Sequence, residues 1–243
     1  NGALSTLNDE QLIYELGKEI GRQMHCIGAH INFSPVVDVN NNPNNIIIKD
    51  RSFGADKELV ARLGSLMMHG LQDAGIMACA KHFPGHGDTD KDSHLDLPTI
   101  NHDRKRLEEI ELYPFKKLID EGVRAIMVAH LEVPAFEQTP HLPTSLSRNV
   151  VHDLLQRELG FKGVVITDGL GMQGVVQHHN PGELELKALL AGNDILLCPV
   201  DVPKAVELIR QALTDGRLSL DELDAHVLKI LQAKEWTGAH EFK

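Results

Sequence analysis

The residues best equipped for chemistry crowd into one stretch of the chain, KHFPGHGDTDKDSH from Lys81 to His94. Of the 14 histidines, His82, His86, His94 and His102 fall close together, interleaved with Asp88 and Asp92. Two chemistries suit such a set. One is a metal site drawing on His82, His86, Asp88, Asp92 and His94, although the spacing matches no HExxH helix, EF-hand loop or Cys/His finger. The other is metal-free acid/base work, in which Asp92 orients the imidazole of His94 two residues on. Lys81 weighs against the first, because its ammonium group would sit beside any cation held by His82. A second motif, VVITDGLGM, delivers Asp168 from an apolar strand into a glycine-flanked turn. That Asp could cap the segment that follows. Alternatively, Gly169 and Gly171 leave room for a substrate to approach its carboxylate, as a nucleophile requires.

The elements that must position these groups are read from hydrophobic periodicity. Short apolar runs alternate with longer amphipathic ones. Helices are expected at residues 9–26 (capped by Asn8), 57–73, 103–121, 148–159, 182–191, 202–215 and 220–233, the last opened by a Ser219/Glu222 capping box. Strands are expected at 30–37, 77–81, 124–129, 163–167 and 194–198. Continuous apolar strands reached through helices indicate a parallel sheet buried on both faces. No GxGxxG turn supports a dinucleotide fold, so the expected class is α/β, a (β/α)8 TIM-type barrel. In such a barrel the catalytic groups stand at the C-terminal strand ends, which here are Asp38, Lys81 with His82, His130, and Asp168.

Composition narrows the classes further. The 243 residues carry 24 Lys+Arg against 35 Asp+Glu, a formal charge of −11, which argues against nucleic acid as a partner. Hydrophobic residues at 42% and charged residues at 24% describe a folded chain. No apolar run approaches a membrane span. Cys26, Cys79 and Cys198 lack CxxC spacing and are expected as buried free thiols. The sequence leaves location open between cytoplasm and bacterial cell envelope.

With KHFPGHGDTDKDSHLDLP, IMVAHLEVP and VVITDGLGM in this order, the chain resembles glycoside hydrolase family 3, specifically its β-N-acetylhexosaminidase branch. The resemblance implies Asp168 as nucleophile, His94 as general acid/base and Asp92 as its orienting partner. It implies that Arg51, Lys81 and His82, with His130, hold the sugar, and that neither metal nor other cofactor is needed. For Arg51 a surface salt bridge to Asp50 or Asp56 is the competing role. Thr167 stands where the family usually has Ser. The glucosidase branch lacks the Asp-Ser-His loop, so Asp92 to His94 decides between branches. The implied activity is retaining hydrolysis of terminal β-linked N-acetylglucosamine, from cell-wall muropeptides. Nothing in residues 1–30 matches the acidic, glycine-rich strand end expected at the front. The chain is therefore expected to hold about the last five strand units, as one barrel domain over 1–236, with 237–243 suited to a linker toward an additional domain.

Overall fold

The computed structural model describes residues 1–7, 9–89 and 97–239. Helices α1 (Gly2–Ser5) and α2 (Glu10–Cys26) lead into strand β1 (Ile31–Asn32), and helix α3 (Lys57–Asp73) into β2 (Met77–Phe83). Helices α4 (Arg104–Glu109) and α5 (Leu112–Asp120) precede β3 (Ala125–Val128), and a π-type helix, Asn149–Glu158, precedes β4 (Val164–Thr167). Helices α6 (Gln173–Val176), α7 (Glu183–Ala191), α8 (Val202–Asp215) and α9 (Leu220–Trp236) follow. Among the described residues the four strands form one parallel sheet in the order β1-β2-β3-β4, the arrangement that successive β-α-β units generate and part of a (β/α)8-type barrel.

Local chemistry explains most boundaries. Asp56 accepts the backbone N–H groups of Glu58 and Leu59 to start α3. Asp201 caps α8, which ends at the left-handed Gly216, and Ser219 with Glu222 closes the expected capping box on α9. Asp9 caps α2 by accepting from Leu12, whereas Asn8 lies outside the described residues.

Four expectations need correction. The helix expected over 103–121 is broken into α4 and α5, because Pro114 has no N–H to give the carbonyl of Ile110 and its ring would collide with it. The strand expected over 30–37 pairs as a regular ladder only at Ile31 and Asn32. Beyond them the register slips, by two residues where Cys79 donates to Ser34 and by one where Lys81 donates to Pro35, after which Val37 donates back to Lys81 and Val36 pairs with Lys81. The fifth strand, expected over 194–198, is reduced to a bridge between Ile166 and Ile195. It still follows β4: Thr167 donates to Ile195 O, and Leu197 N–H is taken by Thr167 Oγ1. Cys26 and Cys198 are exposed rather than buried, and only Cys79 is enclosed.

Alternation along the strands sorts residues into two cores. Ala78, Ala80, Ile126, Val128 and Val165 face outward and pack under α2, α3, α5 and the π-type helix, where Phe83 and Phe115 meet edge to face at 5.3 Å. Such a ring pair adds about 1 kcal/mol beyond the area it buries. Met77, Cys79, Ala125, Met127, Val164 and Ile166 face inward, covered by Ala233 and Trp236 of α9. The Arg124 guanidinium lies 3.9 Å over the Trp236 ring, holding the end of that helix in place. The same inward phase, continued to the strand ends, carries Lys81 and Asp168.

Candidate active site

Asp38 closes the segment that follows β1 and is wholly buried. Its Oδ1 accepts the backbone N–H groups of His82 at 3.1 Å and His86 at 2.7 Å, and its Oδ2 accepts from His82 Nδ1 at 2.7 Å. Burial pushes this carboxyl up, but His82 and His86 more than offset it and leave it below its ordinary value. On the far side of the ring, Arg51 Nη2 donates to His82 Nε2 at 3.1 Å. Among the described residues Arg51 makes no ion pair with Asp50 or Asp56, and its second hydrogen bond is a long one to Ile47 O, at 3.4 Å.

The KHFPGHG turn is folded by its glycines and by Asn45. Gly85 sits at φ +127°, closed to most side chains, and a Cβ on Gly87 would stand 1.9 Å from Val39 O. Asn45 donates to the carbonyls of His86 and Gly87 and to Thr89 Oγ1, while its own carbonyl receives Ile47 and Ile48. His86 Nδ1 donates to Thr89 Oγ1 at 2.8 Å, since the hydroxyl hydrogen is spent on His86 O. Burial, aided by His82, lowers the His86 pKa.

His130 lies two residues past β3 and is buried. Its Nε2 donates to Gly169 O at 3.1 Å and its Nδ1 is hydrogen-bonded to Ser145 Oγ at 2.6 Å; burial lowers its pKa. Asp168 ends β4. Burial raises its pKa, yet His82, His130, the Gly169 N–H and Lys81 together bring it below the usual carboxylate value. Among the described residues its carboxylate takes one hydrogen bond, from Gly169 N–H at 2.8 Å. It is not a helix cap, because α6 starts after Met172. Among the described residues a Cβ at Gly169 or Gly171 would meet nothing nearer than 3.8 Å, so neither packing nor φ demands glycine there, and the turn puts no side chain of its own against the carboxylate. Burial, with Arg51, lowers the Lys81 pKa, while Asp168 and Asp38 oppose that shift. The Lys81 ammonium also lies 5.7 Å from the Phe33 ring.

Five of the residues singled out from sequence, Arg51, Lys81, His82, His130 and Asp168, thus share one end of the sheet. Asp92 and His94 lie outside the described residues. The sequence marks Asp38 as a strand end but not as the hub of the turn, and it misses Asn45, Thr89 and Ser145, whose partners lie far along the chain. A shallow cleft of about 550 Å³, lined by Phe33, Arg51 and Lys81 among others, opens beside this group. Another cleft, of about 450 Å³, lies between the π-type helix, α7 and α9, away from these residues. Its His226 and Lys229 are matched by buried Asp194.

Among the described residues no three His, Cys, Asp or Glu side chains are grouped to hold a metal ion. His82 is a poor ligand as placed, with one ring nitrogen on Asp38 and the other facing the Arg51 cation. No helix among the described residues is long and apolar enough to cross a membrane.

Fold and site define a parallel α/β-barrel domain with a carboxylate-centred site at the C-terminal strand ends. The chain belongs to the family of the glycosyl hydrolase family 3 N-terminal domain, which matches residues 1–233. A family 3 β-N-acetylglucosaminidase structure from Paenibacillus sp. is 42% identical with a TM-score of 0.95, covering 100% of this chain and 47% of that one. A zinc-bound CbsA structure from Thermotoga neapolitana is 30% identical, TM-score 0.89, covering 100% and 52%. The β-hexosaminidase A of Pseudoalteromonas piscicida is 33% identical over 90% of this chain and 40% of its own length. The chain therefore spans about half the length of these relatives.

Proposed function

We propose that this domain carries the catalytic centre of a retaining β-N-acetylhexosaminidase that removes terminal β-linked N-acetylglucosamine, with cell-wall muropeptides as the natural source. The observation that carries the reading is the state of Asp168: a part-buried carboxylate held below its ordinary pKa by neighbouring groups, whose one hydrogen bond among the described residues comes from its own turn, between glycines that set no side chain against it. In this mechanism an Asp168 oxygen attacks C1, forming a glycosyl ester as the C1–O bond to the leaving group breaks, and the departing oxygen takes its proton from His94. Water then attacks C1, gives its proton to His94, and the bond to Asp168 breaks. An imidazole suits both steps, being near neutral pH and adding no second negative charge beside Asp168. Asp92 orients that imidazole, and Arg51, Lys81, His82 and His130 surround the sugar. The relatives named β-hexosaminidase and β-N-acetylglucosaminidase support the same substrate class.

The test is mass-spectrometric mapping after reaction with a fluorinated N-acetylglucosamine-type inactivator. A covalent adduct on Asp168 is expected, and an adduct on another residue overturns the assignment. A metal-dependent hydrolase using His82, His86, Asp92 and His94 is the second reading, favoured by the zinc-bound CbsA structure. The cations around His82 oppose it, and chelation decides between the two.

A further inference from the structure

We propose that Asp38 is a positioning residue for sugar recognition: it fixes the proton of His82 on Nδ1, leaves Nε2 as a pure acceptor, and thereby sets the direction in which Arg51 presents its remaining N–H groups. For the identity of the sugar this rests on the function proposed above. The geometry of the relay does not.

Asp38 has no exposed surface, so it acts only through what it touches. An ionised carboxylate can only accept, and a guanidinium can only donate. His82 stands between one of each, at 2.7 Å and 3.1 Å, and a single neutral tautomer satisfies both, with hydrogen on Nδ1 and none on Nε2. The alternative tautomer would leave two acceptors facing each other across the 2.7 Å contact and two donors across the 3.1 Å one. Arg51 is itself exposed, and among the described residues its other hydrogen bond is the long one to Ile47 O. An arginine so loosely held gains its direction from the His82 acceptor, which spares the ordering cost of fixing a long side chain when sugar arrives.

Asp38→Asn is the informative substitution because it keeps shape and changes donors. The amide oxygen can still accept the two backbone N–H groups, but the amide nitrogen replaces Oδ2 and must donate to Nδ1. The His82 hydrogen then moves to Nε2, against Arg51. Nitrogen-15 NMR of the imidazole in the intact polypeptide is expected to show a protonated Nδ1 and bare Nε2 in the parent, reversed in Asp38→Asn. With an aryl N-acetylglucosaminide, KM should rise about tenfold, the loss of one charge-assisted hydrogen bond, with kcat within about twofold. Arg51→Ala should raise KM similarly, and adding Asp38→Asn to it should cost little more.

A parent protein with hydrogen on Nε2 overturns the proposal, whether or not the variant folds. So does a reversed tautomer with unchanged KM, or losses that simply add in the double variant, which would mark Asp38 as structural only. A parent with the expected tautomer that neither turns over nor binds the aryl glycoside refutes the functional reading, and with it the recognition role, while leaving the relay geometry standing.

Discussion

Asp38 and Asp168 both lie past the C-terminal ends of strands of the same sheet, and both are held below the ordinary carboxylate value against the effect of burial. What separates them is how their lone pairs are used. Asp38 is saturated: two backbone N–H groups and an imidazole occupy both oxygens. Asp168 is stabilised mainly through space, and among the described residues only Oδ1 takes a hydrogen bond, from the Gly169 N–H. Ionisation alone therefore does not make a carboxylate a reagent. A charge neutralised by contact becomes architecture, whereas one neutralised by field stays available.

That contrast can be broken most decisively at Asp168. Asp168→Ala should lower kcat by about 10⁴-fold or more while changing urea-unfolding stability by less than about 1 kcal/mol. A large loss of stability there would erase the distinction. At Asp38 the balance should reverse: Asp38→Ala leaves three donors buried without an acceptor and should cost about 3–5 kcal/mol in the same unfolding experiment.

The proposed proton donor sharpens the comparison further. His94→Ala should slow hydrolysis of poor leaving groups by about 10²–10³-fold and activated aryl substrates far less, since those need little protonation. Equal losses would make His94 a binding residue. Asp92→Asn should weaken the same step by a smaller factor.

A subtler signature lies in pH. Because the folded-state pKa of Asp38 is depressed, the native protein binds fewer protons there than the unfolded chain. The stabilisation it provides is present above the unfolded value, about 4, and drains away as pH falls through the lower folded value. Unfolding free energy should thus decline more steeply below about pH 4 in the parent than in Asp38→Asn, and parallel profiles would contradict the contact picture. The smallest expected effect is none: exhaustive chelation should leave turnover unchanged, while loss restored by zinc or manganese would revive the metal reading.

Much of this arrangement is legible in the sequence. Apolar runs that stop in ionisable groups expose Lys81, His82, His130 and Asp168 as one set, since parallel strands all end on the same side. Caps are equally local, which is why α3 and the start of α9 agree with the pattern residue for residue. What escapes is set by partners far apart in the chain. Periodicity cannot show that Asp38 is spent on His82 and His86, or that Asn45 braces the turn from 41 residues away. Nor does an apolar run reveal the slip after Asn32, where one extra residue is absorbed by the backbone and not by a change of side-chain type.

The Asp38 junction joins groups 44 and 48 residues apart, and His130 meets Gly169 across 39. No helix or hairpin forms such a site early; each closure has to wait for intervening elements to dock, at the entropic cost of long loops. The site is thus among the last features to form as the chain folds. If the domain works as proposed, a partly folded form should be chemically silent, and the onset of turnover during refolding would serve as a clock for the completion of the fold.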